Sequence, residues 1–244
     1  MAFLVTSSIR ISVGHNTYRI STGGNVTGNC TSYSQEGRDV TFHIDDNSAV
    51  QLQLCSSSVV RVWFSPDGKL QRGNPSFAVI NEKLEDVGTV RVDEQNACYE
   101  IFTPKLRIRV NKAPFSLQIF DKYQKLLFSD YADKGHISDG ERKVEYKTLR
   151  RDEHFFGLGE KTGKLDRRGE SYKMWNSDKP CYSIVEDPLY KSIPFFMSSY
   201  RYGIFLIILT KDKIVNHLPT GSFKAVIITA FSTEFKFCLI RVIQ

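Results

Sequence analysis

Apolar and polar positions alternate with a period of two along most of the chain. Val40, Phe42 and Ile44 alternate with polar residues, as do Val50, Leu52 and Leu54. Val60, Val62 and Phe64 repeat the spacing up to Ser65-Pro66-Asp67-Gly68, a strong turn sequence. Val90 and Val92, Ile101, then Leu106, Ile108 and Val110 continue it, and Phe115, Leu117 and Ile119 follow Pro114. Successive side chains of a strand point to opposite faces, so this pattern predicts antiparallel strands with one packed and one wet face. The strands are too many for a hairpin and predict an all-β antiparallel sandwich. No long stretch carries a helical stripe. The longest apolar runs, 204–209 and 225–228, fall far short of the ~20 residues a membrane helix needs.

Two regions depart from the alternation. Residues 122–157 are more polar and read as long hairpins or loops that bury Leu126, Leu127, Phe128 and Tyr131. Residues 154–205 are dense in Gly, aromatics and Asp, as suits loops held against a rigid scaffold. The 244 residues suffice for one large domain. A sandwich leaves no room for a (β/α)8 barrel, itself about 250 residues. The net charge of +6 is modest, and half of the excess falls in residues 206–244 rather than in a basic face, which argues against a nucleic-acid partner. Five cysteines without a CxxC pair fit neither a zinc site nor a disulfide framework. The first residues, MAFLVTSSIRIS, lack the basic and apolar regions of a secretory signal, so a cytoplasmic setting is expected and the sequons at Asn25 and Asn29 read as accidental.

Phosphate-loop readings of the glycine-rich stretch fail on spacing. Gly157, Gly159 and Gly163 miss the dinucleotide fingerprint by one residue, and Gly159–Lys164 is one residue short of a P-loop and lacks its Ser or Thr.

The same stretch has a better match. Phe156-Gly-Leu-Gly-Glu160, Leu165-Asp-Arg-Arg-Gly169, Met174-Trp-Asn-Ser-Asp178, Asp187-Pro-Leu-Tyr190 and Ser192-Ile-Pro-Phe195 occur in order, and residues 59–66 resemble an earlier strand and turn. Together they resemble the N-terminal β-sandwich domain of the family 31 glycoside hydrolases, the α-glucosidase and α-xylosidase group. The resemblance implies a galactose-mutarotase-like supersandwich that sits against a catalytic (β/α)8 barrel, with an α-glucoside-type carbohydrate as substrate of the intact parent. Retaining glycosidases work with two carboxylates about 5 Å apart. In the family both come from the barrel, the nucleophile within a Trp-x-Asp-Met sequence. Here Trp63 and Trp175 do not begin that sequence and no Asp-Met exists. No catalytic residue is therefore assigned, and the isolated chain is expected to be inactive.

The resemblance implies one sugar contact. The aspartate of the family's Trp-Asn-x-Asp loop accepts hydrogen bonds from sugar hydroxyls, and the matching position is Asp178. A carboxylate offers acceptors and no competing donor. The alternative is an Asp178 that caps the loop before Lys179-Pro180. Trp175 reads as a core anchor or a stacking platform, Asp187 as a turn residue, and Glu160 and Asp166 as loop-fixing acceptors for Arg167 or Arg168. No metal or organic cofactor is implied.

The family pattern stops after Phe205, which divides the chain into a sandwich domain, 1–205, and a divergent tail, 206–244. Deleting one T from the codons of Phe-Phe-Asp-Asn yields Phe-Leu-Ile, as in 205–207, so a frameshift is one origin of the tail. A genuine strand-rich terminus is the other, since 225–229 and 235–242 look strand-like. A tail that replaced native strands would leave bare edges and a poorly soluble protein. Two further function classes stay open. One is a free-standing carbohydrate-binding sandwich using Tyr172, Trp175 and Tyr182. The other is an aldose epimerase, which needs an acid and a base facing the sugar, commonly His and Glu, whereas His15, His43, His136, His154 and His217 are scattered.

Overall fold

The computed structural model describes residues 9–13, 16–20, 25–70, 86–131, 135–139, 142–207, 212–215, 225–231 and 235–240. His15 and His217 lie outside them, as do the ends of the apolar run 204–209 and of the strand-like segment 235–242. Among the described residues every regular element is a strand. In chain order these are β1 (Ile9–Val13), β2 (Asn16–Ile20), β3 (Asn25–Val26), β4 (Cys30–Glu36), β5 (Asp39–Ile44), β6 (Ala49–Ser56) and β7 (Val59–Ser65). They continue with β8 (Val92–Glu94), β9 (Cys98–Phe102), β10 (Leu106–Asn111), β11 (Ser116–Asp121), β12 (Leu126–Ser129), β13 (His136–Asp139) and β14 (Arg142–Thr148). The last are β15 (Phe155–Gly159), β16 (Ser171–Met174), β17 (Ser192–Ser198), β18 (Tyr202–Ile207), β19 (Asp212–Val215), β20 (Ala225–Phe231) and β21 (Phe235–Ile240).

One layer is an eight-stranded sheet in the order β15-β17-β18-β21-β7-β6-β5-β4. Facing it are a six-stranded sheet, β16-β19-β20-β14-β13-β3, and a five-stranded sheet, β12-β11-β10-β9-β8. A bridge between Asp130 and Lys147 joins these two side by side. The alternation read from the sequence is the burial pattern: alternate residues of β10 and β11 are buried, and Val40, Phe42, Leu52, Val62, Ile108 and Ile119 fill one core. Each such side chain contributes roughly 1.5–3 kcal/mol relative to an exposed one. Phe42 spans the layers to meet Tyr99 at 5.5 Å and Phe115 at 6.4 Å.

The polar region 122–157 contains β12, β13 and β14, with Leu127 and Phe128 buried as expected and Leu126 and Tyr131 only half-buried. The strand-like segments of the tail form β20 and β21. β21 is inserted between β18 and β7, pairing Phe205 with Cys238 and Val62 with Phe237, and β20 lies between β19 and β14. Residues after Phe205 thus supply interior strands to both large sheets, and the bare edges expected for a substituted tail do not occur at β7 and β18.

Candidate functional site

The loop from 175 to 191 leaves the end of β16 and returns at the start of β17. Its base is tied by polar groups gathered around one buried lysine. Lys161 follows β15 and its side chain is fully enclosed. Its ammonium donates to the carbonyl oxygen of Lys173 (2.6 Å), to Asp187 Oδ1 (2.9 Å) and to Ser192 Oγ (3.0 Å), which uses all three protons. Asp187 Oδ2 accepts from the amide of Lys173 (2.6 Å). Ser192 ties the two ends together. Its hydroxyl donates to the Trp175 carbonyl (2.9 Å), and its amide donates to Asn176 Oδ1 (2.8 Å). Burial holds the Lys161 ammonium below the usual lysine value, with Asp187 opposing the fall. Asp187 is thus more than a turn residue, although it does precede Pro188 in a cis peptide. No sequence reading singled out Lys161. Its signal was only a lysine inside a glycine-rich match.

Asp178 stands on this loop, exposed, and its carboxylate has no hydrogen-bond or ion-pair partner among the described residues. It does not cap the turn before Lys179, whose ammonium pairs with Glu186 at 3.2 Å. The same loop presents Trp175 at 49% exposure, Tyr182, Ile184 at 78% and Val185 at 84%. Trp175 is therefore not a core anchor. Tyr172, read as an exposed sugar-binding aromatic, is instead buried within β16, where the Arg167 guanidinium donates to its hydroxyl at 3.4 Å.

The neighbouring segment 161–167 is fixed within itself. Arg167 donates to the carbonyls of Thr162 (3.0 Å) and Lys164 (2.7 Å), curling residues 161–167 around its guanidinium. Asp166 is a loop-fixing acceptor as expected, but from His154 Nδ1 (2.7 Å) and the amides of Phe155 and Arg168, not from a guanidinium. Partial burial opposes its ionisation. His154 and those amides outweigh that and hold it below the usual carboxylate range. Glu160 contributes its backbone amide to the Lys191 carbonyl at 2.8 Å.

A second cluster is sealed inside the sandwich. Asp130, His136, Glu145 and Lys147 are all buried. His136 bonds Glu145 through Nδ1 and Asp130 through Nε2 (3.1 Å), and Lys147 Nζ reaches Asp130 Oδ1 at 2.5 Å and also pairs with Glu145. The three potential metal ligands lie close together, but the two carboxylates are already paired with the Lys147 ammonium and with the His136 imidazole. Phe64 and Phe115 pack on the His136 ring at 5.3 and 5.9 Å. This His–Glu pair has the composition an epimerase needs and no access for a sugar.

Residues 49–211 match the family description "Glycosyl hydrolase 31 N-terminal galactose mutarotase-like domain". The chain belongs to glycoside hydrolase family 31. Within the family it is 32% identical over 183 residues to alpha-glucosidase 2 of Bacillus thermoamyloliquefaciens, covering 73% of this chain and 23% of that protein. An alpha-glucosidase of Saccharolobus solfataricus is 44% identical over 108 residues, 43% of this chain and 15% of its own length. The family 31 dextranase of Flavobacterium johnsoniae, solved with isomaltotriose and with glucose, superposes with a TM-score of 0.84 at 55% identity over 89% of this chain and 27% of its own. The chain thus spans between 15% and 27% of the length of these family 31 relatives and corresponds to their N-terminal, all-β domain.

Proposed function

We propose that this sandwich is the supporting and sugar-contacting domain of an α-glucosidase-like glycoside hydrolase. Asp178 accepts hydrogen bonds from hydroxyls of an α-linked glucoside, in a pocket completed by a catalytic (β/α)8 barrel docked on loop 175–191. The observation that carries this reading is an exposed carboxylate with no partner among the described residues, on a loop whose base is fixed by polar bonds around the buried Lys161 side chain. A carboxylate held rigidly and left unsatisfied is ready to accept from a ligand at little ordering cost. The exposed apolar side chains beside it suit burial against a second domain. The relatives' names support the substrate class: two are alpha-glucosidases and one is a dextranase solved with isomaltotriose.

The chain by itself brings no pair of catalytic carboxylates, so its expected hydrolytic activity is nil. The test is a titration of the chain with isomaltotriose, followed by amide chemical shifts. Shifts confined to residues 175–182, and lost in Asp178→Asn without a change in melting temperature, support the reading. Shifts that survive that substitution, or none at all, overturn it. The free-standing carbohydrate-binding alternative is favoured by the exposed Trp175 and Tyr182. It predicts that Trp175→Ala abolishes the shifts while Asp178→Asn spares them.

A further inference from the structure

We infer that Lys161 is the positioning residue that sets where Asp178 stands, an inference that rests on the proposed sugar contact of Asp178. Lys161 touches no part of the loop's exposed tip. Its three acceptors mark the loop's entry at Lys173, its returning arm at Asp187 and its exit at Ser192. One buried ammonium therefore fixes the separation of both loop arms. Asp187 closes the ring by accepting from the Lys173 amide, and Thr162, the neighbour of Lys161, adds a bond from Oγ1 to the Glu186 carbonyl at 2.8 Å. Above this base the tie is thin. Ser177 donates to the Leu189 carbonyl at 3.0 Å, and Asp178 follows directly with no partner of its own among the described residues. The position of the Asp178 carboxylate is thus inherited from the base, and the base is organised by Lys161.

The geometry also explains why a lysine occupies this place. Three acceptors converge on one point, which suits the three protons of a single ammonium nitrogen better than a planar guanidinium. A methionine of similar length fills the space but leaves the half-buried Asp187 without its cation.

The experiment compares the wild-type chain with Lys161→Met, Lys161→Arg, Asp187→Asn and Asp178→Asn. The readouts are backbone hydrogen exchange at Ser177 and Ser192, isomaltotriose-induced amide shifts, and the thermal melt. Lys161→Met is expected to speed exchange at both amides at least tenfold and to weaken isomaltotriose binding severalfold. Amides of β6 and β7 stay protected. Lys161→Arg, which keeps the charge, is expected to recover part of both effects. Asp178→Asn is expected to abolish the shifts with loop exchange unchanged. If Lys161→Met fails to fold, Asp187→Asn, which keeps an acceptor for the Lys173 amide, reports on the same tie and is expected to speed the same two amides. Unchanged loop exchange and unchanged affinity in the folded Lys161 or Asp187 variants overturn the inference while leaving the sugar reading intact. Absence of isomaltotriose shifts in the wild-type chain defeats the sugar reading and this functional role with it, even where exchange shows Lys161 holding the loop.

Discussion

At the scale of single residues, the buried quartet of Asp130, His136, Glu145 and Lys147 makes the sandwich sensitive to pH. Burial disfavours a charged imidazole, but Glu145 and Asp130 overcome it and lift His136 from 6.5 to about 9. Burial likewise opposes the charged forms of Lys147 and Asp130. The two carboxylates raise the lysine, and Lys147 with His136 lowers the aspartate. Because His136 is raised on folding, its contribution is fully present below about pH 6.5 and is lost as the pH rises through 9. A shift of that size corresponds to about 3 kcal/mol. The melting temperature is expected to be level near pH 6 and to fall between pH 7 and 9.5. His136→Gln is expected to lower it at pH 6 and to flatten the slope; an equal slope in wild type and variant would refute the assignment. Lys147→Met leaves two buried carboxylates with one cation and is expected to cost about 3–5 kcal/mol in denaturant unfolding. None of this was legible in the sequence. Four charged residues scattered over 130–147 read as polar positions of a wet hairpin, because charge pairing across strands depends on registers that alternation does not specify.

At the scale of elements, β15 shows what the glycine-rich motif is for. Gly157 and Gly159 both have positive φ, and the ladder to β17 is irregular between them. A Cβ on Gly159 would lie 2.5 Å from the Lys191 carbonyl oxygen and 2.8 Å from the Ile193 amide, both backbone atoms that cannot swing aside. The motif is therefore a site of close backbone approach, not a phosphate cradle, and it delivers Lys161 to the base of the loop. Gly159→Ala is expected to destabilise by about 3 kcal/mol, with the loss concentrated in exchange protection of β15 and β17. Gly37, also at positive φ but with open space around it, is the control, and Gly37→Asn is expected to stay within about 0.5 kcal/mol of wild type. Equal melts for the two variants would remove this account of the motif. The strands themselves were largely legible: the alternation at 40–44, 50–54, 60–64 and 106–110 is β5, β6, β7 and β10. Their order was not. β21 pairs with β7 from the opposite end of the chain, and such distant partners leave no mark on local periodicity.

At the scale of the whole molecule, the exposed large apolar side chains are concentrated in one part of the chain. Leu165, Trp175, Tyr182, Ile184, Val185 and Ile193 all fall between residues 165 and 193, the stretch that includes the loop carrying Asp178. The family motifs in the sequence pointed to this region, but which of its apolar residues face outward depends on how the loops fold back on Lys161 and Arg167. Apolar groups kept in water by a rigid scaffold attract one another between molecules. On the proposed function they are the area that a catalytic barrel covers, and without that cover the chain is expected to self-associate through them. The substitutions Ile184→Lys and Val185→Lys, at two adjacent and highly exposed positions on the loop that carries Asp178, remove apolar surface and add repulsion without touching the core. Their double variant is expected to sediment as a monomer at concentrations where the wild-type chain shows a weight-average mass that climbs with concentration. Its melting temperature should match that of wild type, since exposed positions away from packed contacts change stability little. The paired control, Tyr123→Lys, alters an exposed aromatic outside the patch and is expected to leave the association unchanged. A wild-type chain that stays monomeric throughout, or an association equally sensitive to Tyr123, would mean that this surface has no unmet tendency to be covered, and the proposed docking of a second domain would lose its physical motive.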